Sequence, residues 1–415
     1  MAKKKSNSRK DPFGRVLRKG EGYRKDKKLY IYQYRDSTGT EHTVYANSIA
    51  ELREKEDEIT RDRMDNIQTY VAGKTTLNYA FDRYIALKQN LKPSTLTMYK
   101  YMYDHFVREG LGRRIMKDIC YSDIKYFYNS LLNEHGVKPL TVDNVHTLLH
   151  PVFAMGIRDG IIRVNPTDGV MAEIKKSGLW DKGTRHALTP EQSKAFMGFV
   201  KEHPVYSRWH PMFTVFLGTG MRVGEVCGLR WEDIDFGNRT ISVNHNLILR
   251  KYEDDEREMF HISTTKTESG ERIIPMMDKV YEAFKAEREY QEISGFCTQE
   301  VEGMKGFIFR NRFGRLYYQG SVNSAIKRIY LAYNDKEILE AARDNRKPLL
   351  LPHFSCHHMR HTFCTRLCER EDNVKAIQSI MGHSDIKTTL DIYAEATDVM
   401  RQEAIKALQD GTDLF

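Results

Sequence analysis

Apolar and polar positions alternate from Leu29: Tyr30, Tyr32 and Tyr34 fall on one face, Leu29, Ile31 and Gln33 on the other. That period of two predicts a strand. Ser37-Thr38-Gly39 supplies a turn, and Glu41–Ala46 can pair back as a hairpin. Ser48-Ile49-Ala50-Glu51 then has the form of a capping box and opens a charged helix running to Met64. Sheet packing accounts for the three tyrosines better than base stacking does. Past Gly73-Lys74, read as a linker, the spacing is helical only. Leu77, Ala80, Phe81, Tyr84 and Leu87 define one helix. Lys92-Pro93-Ser94-Thr95 starts another, with Ser94 as its cap and Tyr99, Met102, Tyr103 and Phe106 along it. Two more span 118–132 and 141–159, Asn165-Pro166 closes the set, and 173–185 reads as a second linker.

Residues 186–400 form the largest block. Thr189 caps a helix with Pro190 in its first turn, and Trp209–Leu217 is apolar enough to be a buried helix. Short strands follow at Thr240–Leu249, Met259–Thr264 and Glu271–Met276, and helices resume from Asp278. Helices, a small sheet, then helices again predict an α+β domain, mainly α with a small antiparallel sheet. The chain is therefore multidomain: 1–72, a basic arm with a small β-sheet plus helix; 73–172, all-α; 173–185, a linker; 186–400, α+β. Met400, Ala404, Ala407 and Leu408 place a tail helix in 401–415.

Charge sharpens this division. The 415 residues carry a net charge of +8, yet residues 1–28 alone hold 12 Lys/Arg against 3 Asp/Glu. An arm of that kind meets nucleic acid or an anionic surface and reads as disordered until it does. Residues 73–172 hold 13 Lys/Arg against 9 Asp/Glu, while 173–415 are nearly balanced at 35 against 36. No apolar run approaches the length of a membrane span, and the N-terminus lacks the apolar stretch of a secretory signal. Six cysteines are too few for a disulfide scaffold, so a reducing cytoplasm is expected.

Several chemistries drop out. There is no GxxxxGK[ST], GxSxG or HExxH, and no convincing GxGxxG. Cys356, His357, His361, Cys364 and Cys368 invite a zinc reading. However, four ligands strung along one helix from 357 to 368 spread over about 16 Å, too far to meet at one ion. Buried cysteines acting as small hydrophobes fit better.

What remains is dispersed. Gly218-Thr-Gly-Met-Arg222-Val-Gly-Glu225 puts an arginine at a loop-to-helix junction with a carboxylate one turn on. Thr265-Lys266-Thr-Glu-Ser-Gly270 is a turn carrying a lysine; His357-His358-Met-Arg360 opens a helix; His383 precedes Tyr393 by ten residues. Each has a bland explanation: an i,i+3 salt bridge, a solvated lysine, one tyrosine among 23. Together they fit metal-free phosphodiester transfer. Guanidinium groups can carry the charge that builds on phosphate oxygens, and a tyrosine can form a covalent ester. No acidic cluster suited to two metals is evident.

The segments Thr219–Leu229, Cys356–Phe363 and Met381–Tyr393 resemble, in sequence, order and spacing, the three signature boxes of the tyrosine recombinases, or phage integrases. The resemblance is strong over 186–400. The helical block resembles the family's core-binding domain. The first 72 residues resemble the arm-binding domain of lambda-type and conjugative-transposon integrases.

It implies that Arg222 and Arg360 clamp the scissile phosphate and that Lys266 is the general acid. His357 takes the tyrosine proton, His383 hydrogen-bonds the phosphate, Tyr393 is the nucleophile, and Glu225 supports Arg222. His358 is set aside because the pattern is His-x-x-Arg. Lys251 and Arg272 lie close enough in sequence to compete with Lys266. The implied enzyme needs no cofactor and no metal. It integrates and excises a mobile element through a 3′-phosphotyrosyl intermediate and a Holliday junction. Implied partners are double-stranded DNA at core and arm-type sites, three further copies in a tetramer with the tail docked in trans, and an excision accessory protein, at the bacterial nucleoid. The alternatives are a type IB topoisomerase-like nicking-closing enzyme and a non-catalytic DNA-binding protein. The arm and tail argue against the first, the full residue set against the second.

Overall fold

The computed structural model describes the chain except residues 1–8, 37–38, 66, 68, 90, 177–185, 253, 265–269 and 395–415. It divides into two compact units, residues 1–183 and 184–415.

In the first unit β1 (Glu21–Arg24), β2 (Leu29–Arg35) and β3 (Glu41–Ala46) form an antiparallel sheet in that order. The register sets Tyr30 opposite Ala46 and Tyr34 opposite His42. Tyr30 and Tyr34 are buried, so they pack and do not stack on bases. Leu52 and Ile59 of α1 (Ile49–Met64) are buried on the helix's inner side. Ser48 Oγ accepts from the Glu51 N–H at 3.1 Å, whereas the Glu51 carboxylate reaches back to the Asn47 N–H at 3.0 Å.

The reading of 1–28 as a disordered arm is corrected for 9–28. Gly22 pairs with Ile31 across β1–β2, and Asp11 accepts from the Tyr30 hydroxyl at 2.7 Å and from the Phe13 and Arg15 N–H groups. The basic side chains of this stretch stand on a folded sheet, their charge masking its modest apolar content.

After α2 (Thr69–Ala72) come α3 (Leu77–Leu87), α4 (Pro93–Phe106), α5 (Tyr121–Asn133), α6 (Pro139–Arg158) and α7 (Val170–Lys176). The rings of Phe81 and Tyr103 stack at 3.6 Å between centroids, and the Tyr103 hydroxyl donates to Asn78 Oδ1 at 2.9 Å. Pro93 occupies the first turn of α4 behind Lys92, so Ser94 lies inside the helix and is not its cap. Helix α7 runs to Lys176, inside the segment read as linker.

The second unit opens with α8 (Pro190–Glu202), capped by Thr189, and α9 (His210–Thr219), whose Met212, Phe213, Val215 and Phe216 are buried. Short α10 (Val223–Gly228) leads to β4 (Ile234–Asp235), β5 (Thr240–Val243), β6 (His245–Arg250), β7 (Met259–Thr264) and β8 (Arg272–Pro275). Helices α11 (Asp278–Ser294), α12 (Gln319–Arg343), α13 (Cys356–Cys368) and α14 (Val374–Met381) follow, and residues 386–394 are again helical.

One strand expected over 240–249 is two. β5 joins β4 and β8 in one sheet, while among the described residues β6 pairs with β7 alone. The break falls at Asn244, whose amide donates to Asp233 Oδ1 at 3.2 Å; His245 Nε2 then pairs with the Gly228 carbonyl at 2.6 Å. Two polar side chains thus redirect a run whose apolar pattern looks continuous.

Candidate active site

The site is assembled where helices end. Helix α9 stops at Gly220 and α14 at Gly382, both left-handed C-caps at φ +62°. A side chain at Gly220 would collide with Phe363, and one at Gly382 would lie 2.9 Å from Arg272 Nη1, so glycine is required at both by conformation and by space. The two carbonyls this exposes hold two arginines. Gly220 O accepts from Arg360 Nη1 at 2.6 Å, and Gly382 O accepts from Arg222 Nη2 at 2.7 Å. Arg360 Nη2 donates to Met381 O at 2.7 Å.

Arg222 is the N-cap residue of α10, and Glu225 is its third helical position. Glu225 therefore accepts from the Arg222 backbone N–H at 2.7 Å and from Arg222 Nη1 at 2.8 Å, one carboxylate fixing both the helix start and the guanidinium. Burial pushes Glu225 up, but hydrogen bonding and charge from Arg272, and charge from Arg222, outweigh it and hold the carboxyl at about 2. Arg360 is buried, and burial first, the like charge of Arg222 second, push it down to about 9. It remains a cation at neutral pH, and an anion beside the two guanidinium groups would offset their repulsion. The Arg222 side chain keeps 41% of its surface exposed, so one guanidinium of the pair is open and the other sunken.

His383 is buried beside them. Burial, then Arg360, Arg222, Arg272 and His357, push it down to about 4, so it is neutral at physiological pH. Its Nδ1 pairs with the hydroxyl of buried Thr389 at 3.0 Å. His357 is exposed on the first turn of α13; His358 turns its Nδ1 to Ser355 Oγ at 2.9 Å, a helix-capping contact. Tyr393 packs against the cluster of Cys364, Cys368, Ile377 and Met381, and its hydroxyl donates to Asp372 Oδ1 at 3.3 Å. Burial and that carboxylate push the phenol up. The structure thus brings Arg222, Glu225, Arg360, His383 and His357 together, with Tyr393 on the helix that follows His383. Lys266 lies outside the described residues.

Arg272 escaped assignment from sequence. Its side chain is 4% exposed and forks onto both oxygens of Glu225, Nη2–Oε2 at 2.8 Å and Nη1–Oε1 at 3.2 Å. A signal existed: Arg272 and Ile274 face inward on β8 while Ile273 is exposed, so a charge sits on the core side of an apolar strand. Among the described residues no group of three or more His, Cys, Asp or Glu is arranged to hold a metal ion.

Backbone-anchored arginines around a neutral histidine, followed by a helix bearing a tyrosine, are an arrangement suited to phosphodiester transfer. The chain belongs to the phage integrase family: residues 186–399 match the family model, and residues 5–63 match the DNA-binding domain of Tn916 integrase. It is a tyrosine recombinase of the mobile-element type. It is 32% identical over 409 residues to the transposase from transposon Tn916 of Enterococcus faecalis, covering 94% of each chain. It also resembles the solved Tn1549 transposon integrase in complex with a circular intermediate DNA, with a TM-score of 0.68 and 28% identity over 80% of this chain and 100% of that one. A lambda integrase dimer bound to a core site shares the fold at a TM-score of 0.51 and 19% identity, over 91% of this chain and 95% of that one. No described helix is long and apolar enough to cross a membrane.

Proposed function

We propose that this recombinase integrates and excises its element through a covalent tyrosyl–DNA ester. Arg222 and Arg360 grip the non-bridging oxygens of the scissile phosphate, and neutral His383 adds a hydrogen bond. The Tyr393 oxygen bonds to phosphorus while its proton passes to His357. The bond from phosphorus to the 5′-oxygen breaks, and Lys266 protonates that oxygen. The products are a 3′-phosphotyrosyl ester and a free 5′-hydroxyl. Attack by a partner strand's 5′-hydroxyl reverses each step, so the bond energy is conserved without ATP. Two rounds pass through a Holliday junction.

In this reading residues 73–172 and residues 186–400 each bind core-site duplex DNA and residues 1–72 engage arm-type sites. Four copies assemble, the 401–415 tail of each docked on a neighbour, and an excision accessory protein biases direction. The similarity to transposon integrases along nearly the whole chain supports this over a topoisomerase-like enzyme.

The observation that carries the chemistry is the anchoring of both guanidinium groups by backbone carbonyls, because anchored donors need not reorganise as charge builds on the phosphate. A nicked suicide substrate tests it. The wild-type chain is expected to trap a covalent adduct, and Tyr393→Phe to trap none while binding the same DNA. Loss of binding in that variant would assign Tyr393 another role. An adduct without strand exchange between two attachment sites would favour the topoisomerase-like alternative.

A further inference from the structure

Glu225 poses an electrostatic problem for the clamp. It is a buried carboxylate held ionised, in direct contact with Arg222, the more open of the two phosphate-binding guanidinium groups. A carboxylate with no other cation would draw Arg222 into a two-pronged fork and neutralise it, leaving little charge for a phosphate. The structure puts a second guanidinium there. Arg272 presents its fork to Glu225 through Nη1 and Nη2, so that the Arg222 guanidinium reaches Glu225 through Nη1 alone and sends Nη2 to Gly382 O.

Arg272 is itself held on further sides. Its Nε donates to Ile380 O at 2.8 Å and its Nη1 to Gly270 O at 3.1 Å. Its guanidinium lies against Gly382, where an added Cβ would come within 3.1 Å of Cζ. One side chain therefore ties β8, the start of α10 and the end of α14 together, and the last of these leads into His383. With each guanidinium nitrogen bonded to a protein oxygen and its surface covered, Arg272 is unsuited to protonate a leaving group, the role for which sequence proximity made it a rival of Lys266.

We propose that Arg272 is a positioning residue for the recombination reaction: it absorbs the charge of Glu225 so that Arg222 stays cationic toward the scissile phosphate, and it pins the segment that carries His383. The proposal rests on the reading of this site as a phosphodiester-transfer centre.

The test uses the full chain and single-turnover adduct formation on a nicked suicide substrate. Arg272→Met keeps the buried volume and removes the charge. Its adduct formation is expected to slow by about 10²-fold, with DNA affinity held within about threefold, as for a small misplacement of a reacting constellation. Adding Glu225→Gln to that chain removes the charge Arg272 had to absorb, and is expected to recover about tenfold of the loss. A packing role would give no such recovery. Arg272→Lys, which keeps a cation against Glu225 but not the fork, should fall between wild type and Arg272→Met. If Arg272→Met loses DNA binding, Arg272→Lys with and without Glu225→Gln makes the same comparison. Arg272→Met cleaving at the wild-type rate, or no recovery on removing the Glu225 charge, overturns the role of Arg272. A wild-type chain that traps no adduct overturns the reading of the whole site.

Discussion

At the scale of single residues the site is a balance of burial against charge. His383 sits among three arginines and is denied its proton down to pH about 4, against 6.5 for the free side chain. In the unfolded chain it protonates near 6.5. Between pH 6.5 and 4 the unfolded state therefore binds the extra proton, and folding stability must fall as pH falls through that window. The loss reaches about 3 kcal/mol once it is fully titrated. Denaturant unfolding of the DNA-free chain at pH 7 and at pH 4.5 should show that decline, and His383→Gln should remove most of it. Glu225 contributes in the same direction but lower: its stabilisation is fully present above 4.5 and is lost only as pH approaches about 2. The two windows barely overlap; burial also pushes His146 and His210 down and adds to the wild-type step, so the share that His383→Gln removes is what reports His383. A step of equal size in His383→Gln would show that the histidine is not held neutral.

At the scale of elements, period and caps carried most of the fold. The hairpin with its tyrosine face, the Ser48 and Thr189 caps and the buried helix at 210–219 were legible because each is set by residues close in sequence. What was not legible depends on distant partners. The strand over 240–249 breaks because Asn244 finds Asp233, and Arg272 becomes part of the site because Glu225 and Ile380 are waiting for it. The signature boxes named the arginines and His383, but their anchors are backbone carbonyls, which no side-chain pattern announces.

The helical block offers a direct test of element packing. The Phe81–Tyr103 stack joins α3 to α4, and Tyr103 also satisfies Asn78. Tyr103→Ala should cost about 3–5 kcal/mol by chemical denaturation, mostly as cavity, whereas Tyr103→Phe should cost about 1 kcal/mol for the lost hydrogen bond. Near-equal costs would mean the hydroxyl, and not the ring, secures the contact.

For the molecule as a whole, the uneven charge now has a boundary. By charge alone the excess over residues 1–28 marks one detachable arm, but residues 21–24 are a strand of the first sheet and Asp11 is bonded to its centre. Deleting 1–28 should unfold that sheet and abolish the arm-site binding proposed for it. Deleting only 1–8, which hold three lysines, should leave the sheet intact. It should lower the slope of log affinity against log salt by up to about 3, with core-site cleavage retained. Loss of the sheet on deleting 1–8 alone, or its full retention on deleting 1–28, read by far-UV circular dichroism and salt titration, would overturn this boundary.

The pair of helix-ending glycines bears on how this chain can vary. Gly220 and Gly382 lend Arg360 and Arg222 a carbonyl each, and neither position has room or backbone freedom for any side chain. In a saturation mutagenesis of the whole chain they should therefore be as intolerant as the arginines themselves. The active site would be outlined partly by two positions that contribute no side chain, and drift in this lineage could re-tool DNA recognition elsewhere while those two glycines stay fixed.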